Sequence, residues 1–205
     1  MPTKLLYMED MALLEFSARV VGVSEENGKT LVVLDETAFY PQGGGQPYDT
    51  GVLESTSAKF LVSEVRFQDG VVKHIGSFEQ GTFAAGETVR GAVDKERREL
   101  HSRLHSAGHV VDMAVLALTL GWVPGKGFHF PDGPYVEYAG SLEGVDVEKL
   151  KSDLEQSCNS FIQEKRATKI LFMNKEEMKS VCHVVPDYIP ADKPSRVVMY
   201  GNFAV

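Results

Sequence analysis

The chain has 205 residues, of which 43% are hydrophobic and 24% charged. This composition is typical of globular proteins, and the chain is long enough to bury a core in one large domain or two small ones. No apolar run approaches the roughly 20 residues that span a bilayer, and the opening MPTKLLYMED is a poor secretory signal, so we expect neither membrane insertion nor export. The formal net charge of −8 argues against a general basic surface for nucleic acid, but it leaves open a compact contact with one end of an RNA.

The first ninety or so residues have the pattern of β structure. Short runs rich in β-branched and aromatic residues cover 29–40, 59–70 and 71–78, and Asn-Gly and Asp-Gly pairs interrupt them in EENGKT and FQDGVV. This spacing predicts a small antiparallel barrel or sandwich, which we assign to residues 1–91.

The remainder, 92–205, has a mixed pattern. Apolar residues recur at helical spacing between Asp94 and Gly121, and an amphipathic helix is predicted over 146–167. Loops around a short hairpin over 122–134 and the strand PYVEYAG separate the two helices. The strand TKILFM, the short helix NKEEMKSV and the strand SRVVMYG follow. The expected fold class is therefore α+β, a small N-terminal antiparallel β-barrel followed by an α+β domain, with a boundary near Gly91.

Three histidines, His101, His105 and His109, lie four residues apart in the first predicted helix. Neighbours at i and i+4 share one face of a helix, with Cβ atoms about 5–6 Å apart, so His105 and His109 could converge on one Zn²⁺. His101 is too far along the axis to share that ion easily, and we expect at most a supporting role or a phosphate contact from it. Spacing alone equally fits solvated or core histidines.

The stretch FYPQGGGQPYDTG contains three consecutive glycines, Gly43, Gly44 and Gly45. Such a run is useful where the backbone adopts positive φ or lies against a partner. Gln46 offers a donor and an acceptor, and Asp49 could brace the turn. The stretch is neither a Walker loop nor a dinucleotide-binding turn. A glycine-rich corner of a small barrel explains it equally well.

Taken together, the glycine stretch and the segment VDKERRELHSRLHSAGHVV resemble the AlaX family, freestanding proteins related to the editing domain of alanyl-tRNA synthetase. VPGKGFHFPDGPYVEY and SRVVMYGNFAV resemble later parts of that domain, and the N-terminal barrel resembles the longer AlaX types.

The resemblance implies ATP-independent hydrolysis of the ester in tRNA-Ala mischarged with serine or glycine, a step that protects translation fidelity. It implies zinc bound by His105 and His109, with Gln46, Thr37 and Lys126 in catalytic or pocket positions. Gly43, Gly44, Gly45, His101 and Arg98 are expected to contact substrate. Thr37 or Gln46 is the candidate for pairing with the serine hydroxyl, because hydrogen-bond readout discriminates strongly.

The sequence departs from the family pattern at two places. The family completes its zinc site with a CxxxH motif after a strand like RVVMYG, and we expect that motif beyond Val205. Cys182 and His183 are adjacent and precede the strand, so we interpret them as a structural cysteine and a loop histidine. Gly125 lies near the place where synthetase editing domains tend to carry a glutamine before Lys-Gly. The sequence is part of a longer protein, or Cys182 or a partner completes the site, or catalysis has been lost; we favour the first explanation.

Three functions therefore compete: a deacylase, a tRNA-binding module without catalysis, and a zinc hydrolase acting on another small ester or amide. The basic residues Lys95, Arg97, Arg98 and Arg103 favour RNA, although i,i+4 pairs with Glu96 and Glu99 on a solvated face explain them as well.

With only Cys158 and Cys182, a disulfide framework is not expected, and we predict a cytoplasmic protein. The oligomeric state does not follow from the sequence.

Overall fold

A computed structural model describes residues 2–187 and 189–205 of the chain. They form two compact units, and the break between them lies inside the first α-helix, after His105. The barrel unit comprises the chain up to His105 together with Gly127–Pro134, and the α+β unit comprises Ser106–Lys126 and Tyr135–Val205.

Antiparallel strands dominate the barrel unit. They are β1 (Lys4–Leu5), β2 (Glu15–Glu26), β3 (Lys29–Leu34), β4 (Glu36–Thr37), β5 (Gly51–Glu54), β6 (Lys59–Gln68), β7 (Val71–Gln80) and β8 (Thr88–Val93), and a 3-10 turn covers Leu6–Met8. Six of them close into a barrel in the order β2-β3-β7-β6-β5-β8. The short strands β1 and β4 pair in parallel. The predicted α+β class with an N-terminal antiparallel barrel is confirmed, and the barrel rather than the sandwich is correct.

Two tight turns at Asn-Gly and Asp-Gly pairs set the register of the barrel. Asn27 and Gly28 have φ values of 53° and 74°, and Asp69 and Gly70 have values of 51° and 80°. Positive φ at both central residues is the geometry of type I′ hairpins, which match the twist of the flanking strands. These are the two pairs at which the sequence predicted turns.

Alternation along β2 shows how the barrel acquires its core. Phe16, Ala18 and Val20 are buried, whereas the residues between them are exposed. A period of two places one set of side chains inside the barrel. The interior also contains aromatic and aliphatic side chains that are fully buried, including Phe39, Phe60, Leu34, Leu53 and Val32.

The elements that follow the barrel strands are mixed, as the sequence predicted. Helix α1 (Lys95–Ala117) is followed by β9 (Val123–Phe128), β10 (Tyr135–Ala139), α2 (Val147–Gln163), β11 (Thr168–Met173), α3 (Lys175–Val181), β12 (Ser195–Tyr200) and β13 (Phe203–Ala204). Strand β9 pairs with β10, and β11, β12 and β13 form an antiparallel sheet. The side chains of Asp146 and Asn174 cap α2 and α3. Within residues 2–187 and 189–205, no helix combines the length and apolar content needed to cross a membrane.

A small core in the α+β unit forms where α3 meets the sheet. Met178, Cys182, Val197 and Ala204 are its buried members. Burial raises the pKa of the Cys182 thiol. His183, beside it, is exposed. These positions agree with the interpretation of Cys182 as a structural cysteine and of His183 as a loop residue.

A buried ion pair fixes the start of α1 in the barrel unit. Arg98 Nη2 lies 2.5 Å from Asp49 Oδ2, and both side chains are almost completely inaccessible to solvent. The same guanidinium donates to the backbone carbonyls of Met11 at 2.7 Å and Ala38 at 2.6 Å. Because all three guanidinium nitrogens have acceptors, the buried charge is both paired and hydrogen-bonded.

We expect Arg98→Gln to lower the free energy of unfolding by about 3–5 kcal/mol, because it leaves the Asp49 carboxylate buried without its partner. Arg90→Gln is the matched control, since Arg90 also lies 2.5 Å from a carboxylate, that of Glu15, but both side chains are mostly exposed. Its urea midpoint should stay at the wild-type value. Equal midpoints for the two variants would contradict a structural role for the buried pair.

Candidate functional site

The glycine stretch folds into a tight turn in the barrel unit. The backbones of Gly43 and Gln46 exchange two hydrogen bonds, of 3.1 and 2.9 Å. Between them, Gly44 and Gly45 have φ values of 55° and 76°. This is again a turn with two positive φ values, which side chains disfavour and glycine permits. Gly43 has no such constraint, and a Cβ there would come no closer than 4.0 Å to the Pro41 carbonyl oxygen.

Asp49 braces this turn from its C-terminal side. Its carboxylate accepts a hydrogen bond from the Tyr40 backbone N–H at 2.6 Å, and its own N–H donates to the Tyr40 carbonyl at 3.0 Å. The carboxylate is also the partner of Arg98 on α1. One buried side chain therefore ties the glycine turn to the helix that carries the histidines.

Gly45 is the point of closest approach between the turn and the segment Gly127–Pro134. A Cβ at Gly45 would lie 2.3 Å from the Gly127 carbonyl oxygen and 3.0 Å from Cδ2 of His129. The Gly45 carbonyl accepts a hydrogen bond from the His129 N–H at 2.9 Å. Only glycine leaves room for this contact between two backbones.

Gln46 connects the glycine turn to His105. Gln46 is fully buried, and its Oε1 accepts a hydrogen bond from His105 Nδ1 at 2.9 Å. The proton that Nδ1 donates leaves the Nε2 lone pair as the coordinating group of this ring. Gln46 Nε2 is buried and has no hydrogen-bond partner among the described residues. A buried amide donor without an acceptor is costly, which marks this position as one that a ligand could complete.

His109, in the α+β unit, has a carboxylate beside its Nδ1, where His105 has the amide oxygen of Gln46. His109 Nδ1 lies 3.0 Å from Asp112 Oδ2, and Tyr138 Oη donates to Asp112 Oδ1 at 2.5 Å. Burial, reinforced by the hydrogen bond to Asp112, raises the pKa of the Tyr138 phenol, so that the phenol keeps its proton at neutral pH. A histidine whose Nδ1–H is held by a carboxylate presents Nε2 to a metal, as in many zinc sites.

Thr37 lies inside the barrel. Its hydroxyl is fully buried, lies 2.8 Å from His74 Nε2 and accepts a hydrogen bond from the Phe39 N–H at 3.1 Å. Because His74 Nδ1 donates to the Val32 carbonyl at 3.0 Å, Nε2 must accept the Thr37 proton. The hydroxyl proton is therefore used internally, and the catalytic role expected for Thr37 stays a prediction.

The other predicted residues are distributed between buried and exposed positions. Arg98 is occupied by its ion pair, and His101 is buried, with no partner for Nδ1 among the described residues. Burial and the neighbouring Arg97 lower the pKa of His101, which favours a neutral ring. Lys126 is exposed on β9. Substrate contacts by these three side chains remain predictions.

The basic residues around the start of α1 make the contacts of a solvated helix face. Lys95 and Arg103 both pair with Glu99, at 3.8 and 3.4 Å, with mostly exposed side chains. Arg97 instead packs over the Tyr48 ring, 5.3 Å from its centroid. Exposed pairs of this kind contribute little to stability.

Three site residues escaped the sequence analysis, namely His74, Asp112 and His129. Asp112 lies three residues after His109, so helical spacing could have revealed it. His74 and His129 lie far in sequence from their partners, Thr37 and Gly45, so no local sequence pattern predicts these contacts.

The donor set fits a zinc ion in part. His105 and His109 lie one turn apart on α1, and each has an oxygen acceptor for Nδ1. Zinc takes four ligands, and no group of three or more His, Cys, Asp or Glu side chains suited to a metal occurs in the described part of the chain. Zinc binding by His105 and His109 stays a prediction.

Comparison with known proteins gives two kinds of relative. The sequence profile of class II (A) tRNA synthetases matches residues 6–97. The chain is 34% identical to the alanyl-tRNA editing protein AlaX-M of Methanosarcina barkeri over 179 residues, which cover 85% of this chain and 71% of that protein. It is 38% identical to the alanine–tRNA ligase of Thermococcus kodakarensis over 167 residues, and 32% identical to that of Methanocorpusculum labreanum over 213. These matches cover 80% and 97% of this chain, but only 17% and 21% of the ligases.

We expect Gly45→Ala to destabilise the protein by roughly 2 kcal/mol or more, because a methyl group there meets a backbone carbonyl at a residue with positive φ. Gly43→Ala, two residues earlier, meets neither constraint and should leave stability within about 0.5 kcal/mol of wild type. Urea unfolding followed by circular dichroism compares the two. A Gly45→Ala variant as stable as Gly43→Ala would exclude the close approach described above.

Stability should also depend on pH through His74. Burial lowers the pKa of His74 from 6.5 to about 4, so between these values the unfolded chain binds a proton that the folded chain does not. The contribution is complete above pH 6.5 and is lost as the pH falls towards 4, at about 1.4 kcal/mol per pH unit. We expect the free energy of unfolding, measured by urea titration at several pH values, to rise more steeply with pH in the wild type than in His74→Asn, whose side chain does not titrate. Parallel slopes would mean that His74 is already protonated in the fold.

Proposed function

Since the chain belongs to the AlaX family of alanyl-tRNA editing proteins, we propose that it hydrolyses the ester bond of tRNA-Ala that carries a wrong amino acid, serine or glycine. The observation that carries the proposal is the contact between Gln46 and His105. It joins the glycine turn to His105 and leaves Gln46 Nε2 as a buried donor with no partner among the described residues.

The proposed metal is Zn²⁺, with His105 and His109 as two of its ligands. Their Nδ1 atoms are held by Gln46 and Asp112, which favours coordination through Nε2. When bound, zinc supplies Lewis-acid polarisation of the ester carbonyl. The protein residues orient the two imidazoles and hold the proton on each Nδ1.

Gln46 is the side chain that we propose for substrate recognition. Its Nε2 donor can pair with the hydroxyl of a seryl group or with an oxygen of the ester or ribose. Alanine has no hydroxyl to offer, so a site that uses this bond would reject the correct product strongly. Of the two residues that the sequence suggested, Gln46 is favoured because the hydroxyl proton of Thr37 is directed to His74.

A tRNA-binding module without catalysis is the second candidate function. The observation that favours it is the lack of a third metal-ligating side chain beside the histidine pair among the described residues. Both candidates share tRNA-Ala as the partner and a cytoplasmic setting, which the two free cysteines support.

Deacylation assays test the first candidate against the second. We expect the wild type to release serine or glycine from mischarged tRNA-Ala and to spare alanyl-tRNA. His105→Ala combined with His109→Ala should lower the rate on the order of 100-fold or more and should remove protein-bound zinc in elemental analysis. His183→Ala, at an exposed loop position, is the matched control and should keep both. Binding of tRNA by the wild type without turnover would favour the second candidate.

A further inference from the structure

His129 lies against the face of the His105 ring in the barrel unit. The ring centroids are 4.5 Å apart and the planes are inclined by 18°, which is a stacked arrangement. His129 is 4% exposed. The buried His129 ring is therefore in parallel contact with a proposed metal ligand.

Two glycines create the slot that holds the His129 ring. A Cβ at Gly127 would lie 2.5 Å from His129 Nε2, and a Cβ at Gly45 would lie 3.0 Å from Cδ2. The His129 N–H donates to the Gly45 carbonyl at 2.9 Å. Any larger residue at either position would push the ring from its place, so the loop and the turn are shaped around this imidazole.

We infer that His129 is a positioning residue, which fixes the plane of the His105 ring for metal binding; this inference rests on the proposed function. The lone pair of Nε2 lies in the plane of the imidazole, so a ligand must be fixed in both tilt and rotation. The hydrogen bond from Nδ1 to Gln46 determines which edge of the ring points outwards. The stacked His129 ring restrains the tilt, which one hydrogen bond leaves free.

The geometry distinguishes this role from that of a third ligand. Two imidazoles that coordinate one ion direct their in-plane lone pairs towards a common point. Rings that are stacked within 18° of parallel, at 4.5 Å, have lone pairs in planes that run side by side. His129 is therefore placed to support His105 and not to share its metal.

Metal affinity is the first test, measured by Co²⁺ absorption and by competition with a chelator. His129→Ala removes the stacked plane and should weaken binding on the order of 10-fold, whereas His129→Phe restores a planar ring and should stay within about 3-fold of wild type. Phe130→Ala is the matched control, because it removes a ring stacked on Phe128 in the same segment, and it should not change affinity. Wild-type affinity in His129→Ala would overturn the inference. Equal weakening by alanine and phenylalanine would also overturn it, since the ring nitrogens would then be required.

A second measurement uses metal-free protein and is independent of catalysis. Nuclear relaxation of the ¹³C–¹H groups of the His105 ring reports how freely that ring moves. We expect a rigid ring in the wild type and in His129→Phe, and ring motion of larger amplitude in His129→Ala. Unchanged ring motion in His129→Ala, with circular dichroism showing an intact fold, would contradict the inference. This result stands even if the deacylation assay fails, so the two proposals can fail separately.

Discussion

The arrangement of the barrel unit depends on the buried ion pair between Arg98 and Asp49. Asp49 belongs to the glycine stretch and Arg98 to α1, so the pair fixes the helix against the turn. Because a desolvated charge is costly without its partner, removal of either side chain alone would destabilise this arrangement. His105 follows Arg98 by seven residues, about two helical turns, and is thereby brought to Gln46.

The glycine turn combines two demands that no other residue type meets together. Gly44 and Gly45 need positive φ, and Gly45 also needs the space that the backbone of Gly127 occupies. Gln46 directly follows this turn and is fully buried. The Gln46 amide has one hydrogen bond to protein, and its Nε2 has no partner among the described residues; this is the feature on which its proposed contact with substrate rests.

The two histidines of the proposed metal pair are supported differently. His105 has the neutral amide of Gln46 as its acceptor, whereas His109 has the Asp112 carboxylate, which in turn accepts from Tyr138. A charged acceptor makes an imidazole a stronger electron donor than a neutral one does. His105 has in addition the stacked ring of His129, so the two imidazoles differ in both the hydrogen-bond acceptor and the packing that hold them.

The fold class, the Asn-Gly and Asp-Gly turns and helix α1 with its histidines on one face could be predicted from the sequence, because they depend on periodicity and local backbone preferences. The meaning of the glycine stretch and of the histidine segment came instead from their resemblance to the AlaX family. It missed strand β2, although Phe16, Ala18 and Val20 alternate with polar residues. The donation from Thr37 to a buried histidine and the stacking of His129 on His105 became visible only in the folded chain. Such contacts join residues more than twenty positions apart, and no local pattern records which side chains the closure of a barrel brings together.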